Sequence, residues 1–282
     1  MIKEKLMQAV FFIAACTSIL AVALICVFLF ANGIPAIQEI GFMKFLTGTM
    51  WKPGNDIYGI LPMIMGSIYV TAGAIVIGVP IGILTSIFMA NYCPKKIYPF
   101  LKSATELLAG IPSVVYGFFG LTVLVPLIRT VFENKGPSML AASILLGLMI
   151  LPTIIGVTES ALRAVPQNYY EGALALGATR ERSIFTVVFP AAKSGILAGV
   201  VLGIGRAIGE TMAVVMVAGN QARMPKGILQ GVRTLTANIV MEMGYAADLH
   251  REALIATGVV LFVFILIINF AVSMLKKGDK NA

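Results

Sequence analysis

The sequence is poor in histidine, cysteine and charge. It holds one histidine and three cysteines, and Lys, Arg, Asp and Glu together make up 12% of its 282 residues. The lone histidine, His250, excludes a histidine-based metal cluster within the chain. Cys16 and Cys26 lie in one apolar run and Cys93 follows Tyr92, so there is neither a disulfide framework nor a C-x-x-C site. A soluble domain carries roughly 25% charged residues to build its surface, and this chain does not have them. The phosphate loop G-x-x-x-x-G-K-S/T is missing, as are a plausible Ser-His-Asp arrangement and zinc-type spacing. Any ATP used must be held by another chain. No internal repeat stands out.

What the chain has is apolar sequence: 59% hydrophobic residues and a mean hydropathy of +0.94. That composition predicts an all-α polytopic membrane protein in contact with lipid. The net charge of +8 is spread along loops. It contains no basic run or basic amphipathic face, so it reads as a topology signal and not as a nucleic-acid footprint.

A helix needs about 20 apolar residues to cross the hydrocarbon core. On that rule six spans are expected, at residues 9–31, 60–90, 104–128, 139–158, 195–219 and 253–275. All belong to one transmembrane domain covering 1–282. The first run is longer than a signal-peptide core and lacks a small-residue cleavage site, so it reads as an uncleaved span. Pro62 and Pro80 are expected to mark bends or ends of the second. Lys3, Lys5, Lys95, Lys96, Lys102, Arg163, Arg180, Arg182, Lys193, Lys276, Lys277 and Lys280 fall on one side. They outnumber Lys44, Lys52, Arg129, Lys135, Arg223, Lys226, Arg233 and Arg251 on the other. The positive-inside rule then places both termini in the cytoplasm. On the outer side, Trp51 and Tyr58 are expected to anchor at the interface. Residues 227–243 carry Ile228, Val232, Leu235, Ile239 and Met243 at helical spacing, which predicts a short amphipathic helix at the outer surface.

The fifth span, "GILAGVVLGIGRAIGETMAVVMVAG", carries Arg206 and Glu210 near its middle. At i and i+4 the two share a helix face and can meet. Gly195, Gly199, Gly203 and Ala207 form a small-residue ladder beside them, which permits close helix approach. An arginine at mid-span costs roughly 2.5–3.5 kcal/mol on insertion scales. Two readings stand: a structural ion pair that fixes helix register, or a station for an anion. Glu106 lies near the cytoplasmic end of the third span, where Lys102 four residues earlier can pair with it. The Gly110–Ile111–Pro112 stretch that follows predicts a bend.

The longest cytoplasmic connection, 159–194, reads "ESALRAVPQNYYEGALALGATRERSIFTVVFPAAKS". Pro166 suits a helix start. Tyr169 to Leu176 are helix formers with an apolar face, Gly177 suits a stop at positive φ, and Thr179 can cap the next helix. A helix, sharp turn and second helix near the membrane form a rigid knob for a cytoplasmic partner.

From Glu171 to Pro190 the loop resembles the EAA loop of ABC importer permeases, E-A-A-x3-G-x9-I-x-L-P. Glu171, Ala173, Gly177 and Pro190 match, while Gly172, Val187 and Phe189 are conservative departures. The stretches "MWKPGNDIYGILPMIMGSIYVT", "ELLAGIPSVVYGFFG", "GIGRAIGETMAVVMVAGN" and "TLTANI" look like the phosphate-specific ABC transporter permeases, the PstC type more than the sister PstA type.

The resemblance implies a type I (MetI-like) importer permease fold in a bacterial inner membrane. It implies that Glu171, Gly172, Ala173, Gly177 and Pro190 belong to a loop coupled to an ATPase. The implied partners are a sister permease, two ATPase subunits carrying ATP and Mg, and an extracytoplasmic phosphate-binding protein; no cofactor is expected in this chain. Arg206 would then contact two oxygens of phosphate. Glu210 would orient Arg206 and accept from a protonated phosphate, which sulfate cannot offer. Permeases for molybdate, sulfate or phosphonate and an ion-coupled secondary carrier are the alternatives.

Overall fold

The computed structural model describes residues 2–133 and 135–278; Lys280, counted above, lies outside them. The first helix, α1 (Ile2–Ile40), is far longer than its predicted span. A short α2 (Phe42–Thr47) and a hairpin, β1 (Trp51–Lys52) with β2 (Ile57–Tyr58), fold over the end of the bundle that follows α1. Helix α3 (Leu61–Ile87) opens with Pro62 in its first turn, contains Pro80, and ends in a π-turn, Phe88–Tyr92. Next come α4 (Tyr98–Gly110), α5 (Ser113–Phe119), a second π-turn (Gly120–Leu124) and α6 (Val125–Phe132). Helix α7 (Met139–Arg163) leads to α8 (Gln167–Ala175), α9 (Arg180–Ser183), a third π-turn (Ile184–Val188) and α10 (Phe189–Ala191). The chain then forms α11 (Lys193–Gly209), α12 (Met212–Val217), α13 (Leu235–Glu242) and α14 (Asp248–Gly278).

Among the described residues five stretches are long and apolar enough to cross a membrane: Glu4–Ile40, Leu61–Tyr92, Ser113–Phe132, Met139–Arg163 and Asp248–Ala271. A sixth candidate is the bent pair Arg180–Ala191 and Lys193–Gly209, whose halves meet at 69° and pass the same test together. Two predicted spans need correction. The third was placed at 104–128, but Ile111 and Pro112 are extended and split it, so residues 104–110 belong to α4, which buries none of its side chains. The fifth was expected to be continuous over 195–219, but the helix stops at Gly209 and restarts at Met212.

The centre of the bundle is α7 held between α3 and α11. Gly73, Gly78 and Gly82 of α3 face Ser143, Ile150 and Ile154 of α7. On the other side the predicted small-residue ladder of α11 is used as expected: Gly195 faces Ala161, Gly199 faces Val157 and Thr158, and Gly203 faces Ile154. Ile154 is therefore seated between two glycines. A Cβ at Gly82 would lie 2.8 Å from its Cγ2, and a Cβ at Gly203 would lie 2.9 Å from its Cγ1. Lipid tails are as apolar as leucine, so close packing, and not water exclusion, must hold these helices together.

At the hairpin end Trp51 and Tyr58 are buried, 6% and 4% exposed, and do not anchor at the interface as expected. They pack edge to face with ring centres 5.6 Å apart, in a cluster with Phe45, Met63, Leu235 and Leu254. The predicted surface helix over 227–243 is also corrected. Only α13 is helical there, and its first turn is buried because Ser67 Oγ of α3 accepts from Leu235 N at 3.0 Å.

The glycine seats predict a sharp contrast. Gly203→Ala should lower the stability of the detergent-solubilised protein by about 1–3 kcal/mol, the usual range for overpacking. Gly205→Ala, where nothing lies within 4 Å of an added Cβ, should leave the thermal midpoint unchanged or raise it. Equal midpoints for the two variants would refute the Ile154 packing.

Candidate functional site

Arg206 lies in the last turn of α11, about 20 Å along the helix from Lys193 at 1.5 Å per residue. It is half-buried, and its Nη1 donates to Thr153 Oγ1 of α7 at 3.3 Å. Thr153 directly precedes Ile154, so the glycine packing sets where the arginine's anchor stands. Open space adjoins the site: a Cβ at Gly156, Gly205 or Gly209 would meet nothing within 4 Å.

The expected meeting of Arg206 and Glu210 does not occur. Glu210 is extended (φ −69°, ψ 132°) beyond the end of α11, so the i, i+4 geometry does not apply. Its Oε1 accepts from Ala213 N at 3.1 Å and caps α12. Its backbone carbonyl, freed by the break, accepts from Thr236 Oγ1 of α13 at 3.1 Å. Irregular backbone at membrane depth requires such internal partners. Among the described residues no carboxylate pairs with Arg206.

The loop follows its local chemistry closely. Pro166 precedes α8, Gly177 has φ +84°, and Thr179 Oγ1 accepts from Arg182 N at 3.3 Å to cap α9. Glu171, Gly172 and Gly177 are exposed, Ala173 is half-buried, and Leu176 at the turn is 91% exposed. Gln167 Nε2 donates to Glu171 Oε1 at 2.8 Å. Pro190 sits within α10, just before the bend into α11. The turn of the helix–turn–helix is exposed, while Val165 and Tyr170 pack against the cluster of Ile87, Leu162 and Ile184.

Two polar clusters escape the sequence reading. Glu159, assigned to the loop, is 1% exposed within α7. It accepts from Tyr98 Oη at 2.6 Å, Lys102 Nζ at 3.0 Å and Arg163 Nε at 2.8 Å. Lys102 therefore pairs with Glu159 and not with Glu106, which is exposed beside a cleft at Gly110–Pro112. Hydrogen bonding to Glu159 pushes both the Tyr98 phenol and the Lys102 ammonium above their usual pKa values. The i, i+4 spacing of Glu159 and Arg163 was the available signal. At the hairpin end Glu242, 7% exposed, accepts from Trp51 Nε1 at 2.8 Å and pairs with Arg233 and with His250 Nε2, the latter at 2.9 Å. No spacing rule links residues 51, 233, 242 and 250.

Residues 82–278 match the model of the family described as binding-protein-dependent transport system inner membrane component. The probable ABC transporter permease protein YqgH of Bacillus subtilis is 39% identical, covering 94% of this chain and 90% of its own. The phosphate transport system permease protein PstC of Mesorhizobium japonicum is 37% identical over 89% of this chain and 83% of its own. The probable PstC of Methanocaldococcus jannaschii is 34% identical, covering 86% and 84%. Among solved structures, an inward-facing MetNI methionine ABC transporter chain superposes with a TM-score of 0.64 at 19% identity, covering 81% of this chain and 99% of that one. A chain of a bacterial alginate ABC transporter gives 0.64 at 13% identity, covering 94% and 95%. At those identities the structures speak for the fold alone.

The cap on α12 gives a direct prediction. Glu210→Ala should destabilise the protein by about 1 kcal/mol, as loss of a helix cap does, while Glu210→Gln keeps an acceptor oxygen and should stay within a few tenths. Thermal unfolding in detergent reads the difference; equal losses would show that the cap contributes nothing.

Proposed function

The chain belongs to the binding-protein-dependent transport system inner membrane component family, and from that premise we propose that it forms one half of the pathway of an ATP-driven importer of inorganic phosphate. The observation that carries the substrate reading is Arg206. It is a fixed cation inside a membrane span, without a carboxylate partner among the described residues, and glycine-lined space adjoins it. Intramembrane charges without internal partners mark ion pathways. A guanidinium held by Thr153 keeps further N–H donors for two oxygens of a phosphate.

The PstC proteins named above are phosphate permeases by name, and they match this chain over most of its length. A sister permease would complete the pathway. Two ATPase subunits, holding ATP and Mg, would take the exposed loop around Glu171, Gly172, Ala173 and Gly177. A phosphate-binding protein would dock at the hairpin end. Both termini and the loop would then face the cytoplasm, in keeping with six crossings and the lysine–arginine bias. Glu210, no longer the partner of Arg206, would still offer an acceptor beside the break. A protonated phosphate can donate to it, and sulfate cannot.

The test is phosphate uptake by proteoliposomes holding the whole complex, with sulfate and molybdate as competitors. Arg206→Gln should lower ATP-dependent uptake at least tenfold at equal assembly and equal ATP hydrolysis. Uptake near the wild-type rate would remove Arg206 from the pathway. Uptake that persists without ATP under a proton gradient would favour a secondary carrier. In the same assay Glu210→Gln should narrow the preference for phosphate over sulfate, and an unchanged preference would end the proton-reading role.

A further inference from the structure

The end of α3 has carbonyls that no donor of its own helix can reach, because a helix C-terminus leaves its last carbonyls unpaired and carries the negative end of the dipole. Two arginines from elsewhere take them. Arg163 Nη2, at the end of α7, donates to Met89 O at 2.9 Å, and Arg163 is itself fixed by Glu159. Arg180 Nη2, in the first turn of α9, donates to Asn91 O, and its guanidinium lies 4.9 Å from the centre of the Tyr92 ring. Both arginines line one cleft of about 330 Å³ with Asn91, Gln167 and Tyr170. One end of α3 is thus pinned to its neighbour span by Arg163 and to the exposed loop by Arg180.

We propose that Arg180 is a positioning residue that ties the coupling loop to α3, so that displacement of the α8–α9 unit is delivered to the end of that span. The proposal rests on the reading of the chain as an ATP-driven permease subunit. The alternative route, along the chain from α9 into α11, runs through a π-turn and the 69° bend. The Arg180 route also enters through a π-turn, at Phe88–Tyr92, but it runs on into the unbroken Leu61–Tyr92 span without a bend of that size. From there the seats of Ile150 and Ile154 at Gly78 and Gly82 pass the motion to α7, whose Thr153 holds Arg206. Loss of Arg180 leaves the Asn91 carbonyl at a half-exposed helix end while Arg163 remains in place. The span should therefore still fold, and the loss should fall on coupling.

The experiment measures ATP hydrolysed and phosphate imported by one preparation of the complete reconstituted complex. Arg180→Ala should raise the ATP consumed per phosphate at least fivefold with hydrolysis retained. Tyr92→Leu, outside the loop, should shift the ratio in the same direction. The double variant should be no worse than Arg180→Ala, since both act through one contact. Arg180→Lys, which keeps charge and a donor, should recover part of the loss. A wild-type ratio in Arg180→Ala, or independent addition of the two defects, overturns the tie. If Arg180→Ala fails to assemble, a wild-type ratio in Tyr92→Leu overturns it instead. A wild-type complex that moves no phosphate contradicts the functional reading and not the tie. The tie is then read from spin labels at Leu176→Cys and native Cys93, with Cys16 and Cys26 replaced by Ser. Their separation should hold constant on ATP binding in wild type and change in Arg180→Ala; a constant separation in both overturns it.

Discussion

The fit of Ile154 between Gly82 and Gly203 is the contact on which the other features of this bundle depend. Dispersion between two side chains is weak, and it becomes useful only when backbones approach closely along their length. Glycines on α3 and α11 allow that approach, and α7 supplies the branched side chains that fill the notches. The register so fixed brings Thr153 to Arg206, one residue from the seat. It also carries the far end of the same helix, with Glu159 and Arg163, to the end of α3. One rigid element thus links the intramembrane charge to the exposed loop.

The break after Gly209 is the second constraint. A continuous helix would have satisfied its own backbone and let Glu210 neutralise Arg206. Instead Glu210 caps α12, and Thr236 from α13 takes the freed carbonyl. The outcome is a cation whose balancing charge is not found within the described residues. Such an arrangement is costly in an apolar medium. It becomes sensible when the balancing charge arrives and leaves as cargo, because a permanent internal pair would compete with it.

Much of this was legible where local chemistry decides. The ladder of Gly195, Gly199 and Gly203, the positive φ of Gly177 and the cap at Thr179 follow from residue type and spacing alone, and the structure uses each as read. Misreadings arose where a distant segment intervened. Pairing of Arg206 with Glu210, and of Lys102 with Glu106, assumed uninterrupted helices and nearest neighbours; Thr153 and Glu159 supplied the partners from elsewhere. Trp51 and Tyr58 looked like interface residues until Glu242 and the cluster of Phe45, Met63, Leu235 and Leu254 closed over them.

The central claim is that the counter-charge of Arg206 is the passing anion. Gly209, three residues on and beside open space, is the position from which to test it. In a variant with Cys16, Cys26 and Cys93 replaced by Ser, Gly209→Cys in the assembled complex can be titrated with a small water-soluble thiol reagent. The account predicts modification from the aqueous phase, slowed several-fold by saturating phosphate and its binding protein under turnover. A thiol that water-borne reagent never reaches, or one whose modification ignores phosphate, would contradict it.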